Sequence, residues 1–238
     1  MNQLTQLKYR ISLIGLILSG VVLTGCQQEG STLKHLTNEE ELPTVIHVDS
    51  QAKTTALTLS KQTTNTQELI RKICNDENST PLVQFLNQVN ESILSFLAEQ
   101  KVMISIEPTL EIYHSGYSEQ YGEVAGVYLP DTNQIIFREQ SEEDLQELLD
   151  QQFYHEVGHV VDTLLGDLAM TEEFQLLYQE GAEIIFPEHD LINQYYRENV
   201  WEYFAESFNL FFKNPAQLTR HEATYKYICS IVEQLQST

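Results

Sequence analysis

Basic side chains are scarce in this chain: 13 Lys and Arg stand against 35 Asp and Glu, a formal net charge of −22. Binding a phosphate backbone depends on Lys and Arg to neutralise it, so a nucleic-acid role is excluded. Electrostatic docking on anionic lipid is disfavoured on the same ground. The acidic balance leaves a surface that repels its own kind, and a monomer is expected. Long apolar runs are lacking as well. The stretch Ile11 to Leu23 is interrupted by Ser12, Gly15, Ser19 and Gly20 and is too short for a comfortable membrane span. Cysteine is rare, with 3 in 238 residues, and no internal repeat is visible.

The short apolar stretch suits a secretory signal, because Lys8 and Arg10 supply a basic segment at its start. It ends in Leu23-Thr24-Gly25-Cys26, which resembles the lipobox of bacterial lipoproteins. That resemblance implies cleavage before Cys26, lipid on its thiol and on its new amino group, and an anchor in the cell membrane facing away from the cytoplasm. One acyl chain holds weakly and several hold stably. An uncleaved signal anchor or a secreted product is the alternative. Residues 1–25 are thus expected to be a signal peptide. Residues 26–65, rich in Thr, Gln, Ser, Asn and Lys, are expected to be the lipidated Cys and a tether that buries too little apolar surface to order. Residues 66–238 are expected to form one domain. Cys74 and Cys229 lie where a disulfide could persist, but two well-separated thiols are weak evidence for one, since either can be a small buried apolar residue.

Within that domain, helices are expected over 66–76 and from Ser79-Thr80-Pro81 to about Glu99. Lys101 to Glu107 and Thr109 to Tyr113 read as strands, and residues 114–123 as a loop whose Tyr117 and Tyr121 could shape a pocket. Val124 to Leu129 and Gln134 to Phe137 flank Pro130-Asp131-Thr132-Asn133, a hairpin signal. A helix follows from Glu142, with Ser141 and Asp144 as a capping box and Gly166 as its stop. More helices fit 171–182, 198–213 and 222–236. Helices, then strands, then helices predict an α+β fold, mainly helical with a small sheet.

His155-Glu156-Val157-Gly158-His159 is an HExxH pattern. Two His four apart share one helix face, so both imidazoles can reach a single zinc ion, and Glu156 is placed to take a proton from an attacking water. Leu145, Leu149, Phe153, Val157, Val160 and Leu164 form one apolar stripe, so the histidines are expected to face a cleft. A catalytic zinc needs a third protein ligand. In Trp201-Glu202-Tyr203-Phe204-Ala205-Glu206-Ser207-Phe208, aromatic residues share one side while Glu202, Glu206 and Asn209 line the other. An ordinary solvated acidic face would look the same. Asp162, one turn beyond His159, is a rival ligand, although a straight helix carries it past the metal. The remaining histidines (His35, His47, His114, His189, His221) form no cluster.

Gly126-Val127-Tyr128-Leu129-Pro130, the segment His155 to Asp162, Glu202 to Phe208 and Ala223-Thr224-Tyr225-Lys226-Tyr227-Ile228 together resemble the catalytic domain of anthrax lethal factor and the related Pro-Pro endopeptidases. The likeness covers roughly residues 100–235. It implies a zincin-like metallopeptidase domain with one zinc on His155, His159 and Glu202, and with Glu156 as general base. It also implies Glu206 as a partner of a zinc histidine, and an oxyanion-stabilising Tyr seven residues before the third ligand. Tyr195 stands at that offset, with Tyr196 adjacent and able to substitute. The lipobox and the lack of room for targeting domains depart from lethal factor, so neither host-cell entry nor its substrate preference is implied. The expected activity is cleavage of extracellular protein or peptide substrates, with Val124 to Leu129 as an edge strand for an extended substrate. The competing class is an inactive zincin-fold lipoprotein that only binds a surface partner or peptide.

Overall fold

The structure is a computed structural model that describes residues 10–13, 65–74, 80–108 and 124–236. Cys26 and its lipobox, the tether, the 109–113 strand and the 114–123 loop lie outside the described residues. The described residues all belong to one compact unit.

Helix α1 spans residues 65–73. The next expected helix is two, α2 (Thr80–Leu86) and α3 (Glu91–Glu99). The break has a local cause. Asn87 Nδ2 turns back to donate to Val83 O at 2.7 Å, and Asn90 caps the restart by accepting from Ser92 N at 2.9 Å. Asn side chains compete with helical backbone bonding in this way and favour caps over interiors.

Strands β2 (Met103–Glu107), β3 (Val124–Leu129) and β4 (Gln134–Arg138) follow, with β3 and β4 antiparallel and β2 parallel to β4. The hairpin turn is fixed by Asn133, whose φ of 53° is tolerated by Asn. Its amide accepts from Tyr128 OH at 3.0 Å and donates to Gln100 O at 2.7 Å, tying the turn to the end of α3. A fourth strand, β1 (Arg10–Leu13), pairs antiparallel with β3, giving the order β1-β3-β4-β2. The expected open edge at Val124 to Leu129 is therefore covered. A strand edge presents a row of unpaired N–H and C=O groups that recruit any extended segment within reach.

Helix α4 (Glu142–Leu164) opens on Ser141, whose Oγ accepts from Asp144 N at 3.3 Å, with Glu142, Glu143 and Asp144 complementing the helix dipole. It closes before Gly166, where φ is 101° and a Cβ would be strained. A 3-10 turn (Leu168–Met170) leads to α5 (Glu172–Ile185), α6 (Leu191–Glu198), α7 (Val200–Lys213), α8 (Pro215–Leu218) and α9 (Glu222–Gln236). The sequence pattern missed α6 and α8.

The two long central helices are not the one-sided amphipaths expected. Every residue from Gln152 to Asp162 in α4 and from Glu202 to Leu210 in α7 is buried. Helix α4 packs against α7, α2 and β3, while α7 also meets α6, α8 and α9. An element enclosed on all sides buries its polar residues with its apolar ones. The closest approach of the pair is at Gly158, where an added Cβ would lie 2.8 Å from Ala205 Cα. Cys74 and Cys229 form no disulfide. The fold is α+β, mainly helical with a small sheet, and among the described residues no helix is long and apolar enough to cross a membrane.

Candidate metal centre

Helix α4 carries His155, Glu156 and His159, and α7 carries Glu202 and Glu206. Packing of the two helices brings His155 Nε2 to 3.1 Å and His159 Nε2 to 3.4 Å from Glu202 Oε2. One donor atom from each of His155, His159 and Glu202 lies within 4.8 Å of the others, so the three form a possible metal site. Ligands about 2.0–2.1 Å from a tetrahedral zinc stand roughly 3.3–3.4 Å apart, close to the separations seen here. Two imidazoles and one carboxylate also make a common catalytic zinc donor set. The residues therefore fit zinc in both chemistry and spacing. They do not line an open cleft: His155, Glu156 and His159 are wholly buried and Glu202 is 2 % exposed.

The electrostatics of the cluster favour a positive charge at its centre. Burial alone lowers the pKa of His155, yet hydrogen bonding and charge from Glu202 and Glu206 overcome it and push the imidazole up to about 10. Burial raises Glu202, but the charge of His159 and hydrogen bonds to both histidines bring it down to about 2. Without a metal the carboxylates hold a proton on imidazole; a divalent cation satisfies the same field while leaving the ring nitrogens neutral.

Glu206 reaches the far side of the first histidine, with Oε2 2.9 Å from His155 Nδ1. An imidazole that donates from Nδ1 is left with its Nε2 lone pair facing the metal position. Asn209 Nδ2 steadies Glu206 through longer bonds of 3.2 and 3.4 Å.

Two tyrosines of α6 approach from the side, each 4 % exposed. The ring of Tyr196 lies 5.9 Å from that of His155 and 5.1 Å from Phe186. Its phenol is raised well above the ordinary value, first by burial and then by the carboxylates of Glu206, Glu202 and Glu156. The ring of Tyr195 lies 6.0 Å from that of Tyr196. The structure thus brings the alternative tyrosine, Tyr196, against the histidine. Asp162 points elsewhere: its Oδ1 accepts from Ala169 N at 2.7 Å and caps the 3-10 turn.

Gly126 of β3 was not read as a site residue. A Cβ there would lie 3.1 Å from Glu156 Oε1 and 3.0 Å from the Phe137 ring, so β3 runs directly against the carboxylate between the two histidines. Glycine within a strand is the available signal for such a close backbone approach.

Fold and site together define a zincin-like domain with a two-His, one-Glu candidate metal centre. Residues 56–231 match the family described as "Anthrax toxin lethal factor, N- and C-terminal domain", and the chain belongs to that family. It is also similar to the structure of the Pro-Pro endopeptidase PPEP-2 from Paenibacillus alvei, at a TM-score of 0.47 and 18% identity, covering 68% of this chain and 99% of that one. No curated protein matches the chain.

Proposed function

We propose that this chain is a zinc-dependent endopeptidase, held at the outer face of a bacterial cell membrane by lipid on Cys26, that cleaves extracellular proteins or peptides. The observation that carries the reading is the convergence of His155, His159 and Glu202 from two helices, with Glu156 between the histidines. Zinc held by those three residues supplies a Lewis acid that polarises a carbonyl and lowers the pKa of water to about 7. Glu156 is the general base: it takes the proton of the attacking water and can return it to the leaving amine. Glu206 fixes the tautomer of His155. Tyr195, at the family offset, is assigned the hydrogen bond to the developing oxyanion, with Tyr196 as the substitute.

The substrate lane is assigned to β3. Support comes from β1, an extended segment that lies antiparallel along β3 with Ser12 opposite Gly126, the residue against Glu156. A peptide in that lane would pass the base with alternate residues hydrogen-bonded to β3. In a chain cleaved before Cys26, β1 is gone and the lane is open.

The test uses the chain from Cys26 onward. Atomic absorption should give one zinc per chain, lowered in His155→Ala, His159→Ala and Glu202→Ala. A random peptide library read by mass spectrometry should show cleavage. Glu156→Ala should keep its zinc and lose about 10²–10⁴-fold in turnover. Near-wild-type turnover in that variant, or a wild type that holds no zinc, sinks the reading.

A further inference from the structure

We propose that Gly126 is a positioning residue for the reaction: the side chain it lacks leaves the space in which the Glu156 carboxylate stands, and so sets where the base meets the attacking water. The inference rests on the peptidase reading above and adds to it a residue of the sheet.

The strand register places Gly126 of β3 opposite Phe137 of β4 on one side and opposite Ser12 of β1 on the other. Residues directly opposite in antiparallel strands project from the same face. The missing side chain of Gly126 and the ring of Phe137 therefore share a face, and α4 packs against β3 there. The distances agree: a Cβ at Gly126 would lie 3.0 Å from both Cδ1 and Cε1 of Phe137 and 3.1 Å from Glu156 Oε1. Glycine weakens a strand interior, because it orders a freer backbone and packs nothing across the ladder. What it provides here is room for the base.

An alanine at this position would need a few tenths of an ångström from one neighbour. Phe137 and Glu156 are both fully buried, so neither can turn out into water. They differ in stiffness. The phenyl ring moves as a rigid plate in a close-packed core, and its strand is held on both sides, by β3 and by β2. The carboxylate ends a chain of several rotatable bonds, the last of which turns in a broad well. The base yields first. None of His155, His159 and Glu202 supplies the atoms nearest that Cβ, so the displacement falls on the base and not on the metal ligands. Proton transfer needs base and water about 2.6–3.2 Å apart, and a misplacement of about 1 Å can cost about 10²-fold.

The experiment uses protein purified from cells expressing the full chain. Gly126→Ala is made alone and in a Glu156→Asp background, which withdraws the carboxylate by one methylene. Zinc is read by chelator competition, kcat and KM on a peptide cleaved from a random library, and stability by thermal melts. Gly126→Ala should lower kcat by about 3- to 10-fold, with KM and zinc affinity each within about 2-fold of wild type. In the Glu156→Asp background the same substitution should lower kcat by less than about 2-fold and shift the melt less, because groups no longer in contact do not couple. An unchanged kcat in Gly126→Ala overturns the proposal. So does an equal factor in both backgrounds, which marks a general loosening of β3, or a loss carried by KM or by zinc. If Gly126→Ala does not fold, the double variant should, since the carboxylate has made room; a double variant that also fails to fold overturns the proposal. A wild type that holds zinc and cleaves no peptide defeats the peptidase reading itself, before any variant is compared.

Discussion

Two histidines of this protein sit in polar clusters against different residues of α7, and their partners differ in kind. His155 faces two carboxylates, Glu202 at 3.1 Å and Glu206 at 2.9 Å. His221 faces a hydroxyl: its Nδ1 is 2.7 Å from Thr224 Oγ1, which is 2.9 Å from the Tyr203 hydroxyl. Neutral hydroxyls satisfy a buried ring and ask for nothing more. Carboxylates favour a positive charge beside them, whether an imidazolium or a metal ion. The partners, not the histidine, separate a metal site from a packing knot. Each cluster is also closed by a glycine, Gly158 where α4 meets Ala205 and Gly181 where α5 meets Tyr203 and His221.

The sharpest way to break the contrast is Gly158→Ala. Its Cβ would meet backbone, 2.8 Å from Ala205 Cα, so α7 must move away from α4 and take Glu202 with it. Overpacking of this kind costs about 1–3 kcal/mol, partly offset by roughly 1 kcal/mol of helix propensity. Zinc affinity should also fall by about 10-fold or more, since the ligands lie on both sides of the moved interface. Thermal melts and chelator competition measure the two effects. Gly181→Ala should cost about 1–3 kcal/mol in the melt and leave zinc affinity unchanged. There the Cβ would lie 2.4 Å from the Tyr203 hydroxyl and 2.6 Å from His221 Nδ1; the half-buried His221 can shift but the fully buried Tyr203 cannot. Thr224→Val is the mildest, at about 1–2 kcal/mol for its hydrogen bonds, again with zinc affinity intact. Loss of zinc in either of the last two variants would show that the clusters are coupled through α7, and the contrast would fail.

What could be read from the sequence follows from how local each feature is. The i, i+4 pair His155 and His159, the Ser141 cap, the Gly166 stop and the hairpin turn are set by near neighbours, and the structure places each where its pattern stood. The break at 87–90 was local too, but it depends on which way Asn87 and Asn90 turn their amides. Helix α6 was hidden because, at 8 residues after its Asp190 cap, it is too short to show a repeated apolar period. Burial on every side from Glu202 to Leu210 could not be seen in a pattern where Glu202, Glu206 and Asn209 fit a solvated face as well as a ligand-bearing one. The approach of Gly126 to Glu156 joins a strand to a helix distant in sequence, and only the packed fold reveals it.

The burial of the ligand set has a kinetic consequence. With His155 and His159 at 0 % exposure and Glu202 at 2 %, an ion between them has no direct path to water. It can enter or leave only through a local opening of the elements packed around it, whose free energy lies between zero and that of global unfolding. A chain that still carries β1 should therefore trade its metal slowly even where its equilibrium affinity is modest, and a faster exchange once β1 is removed would show which element closes the centre.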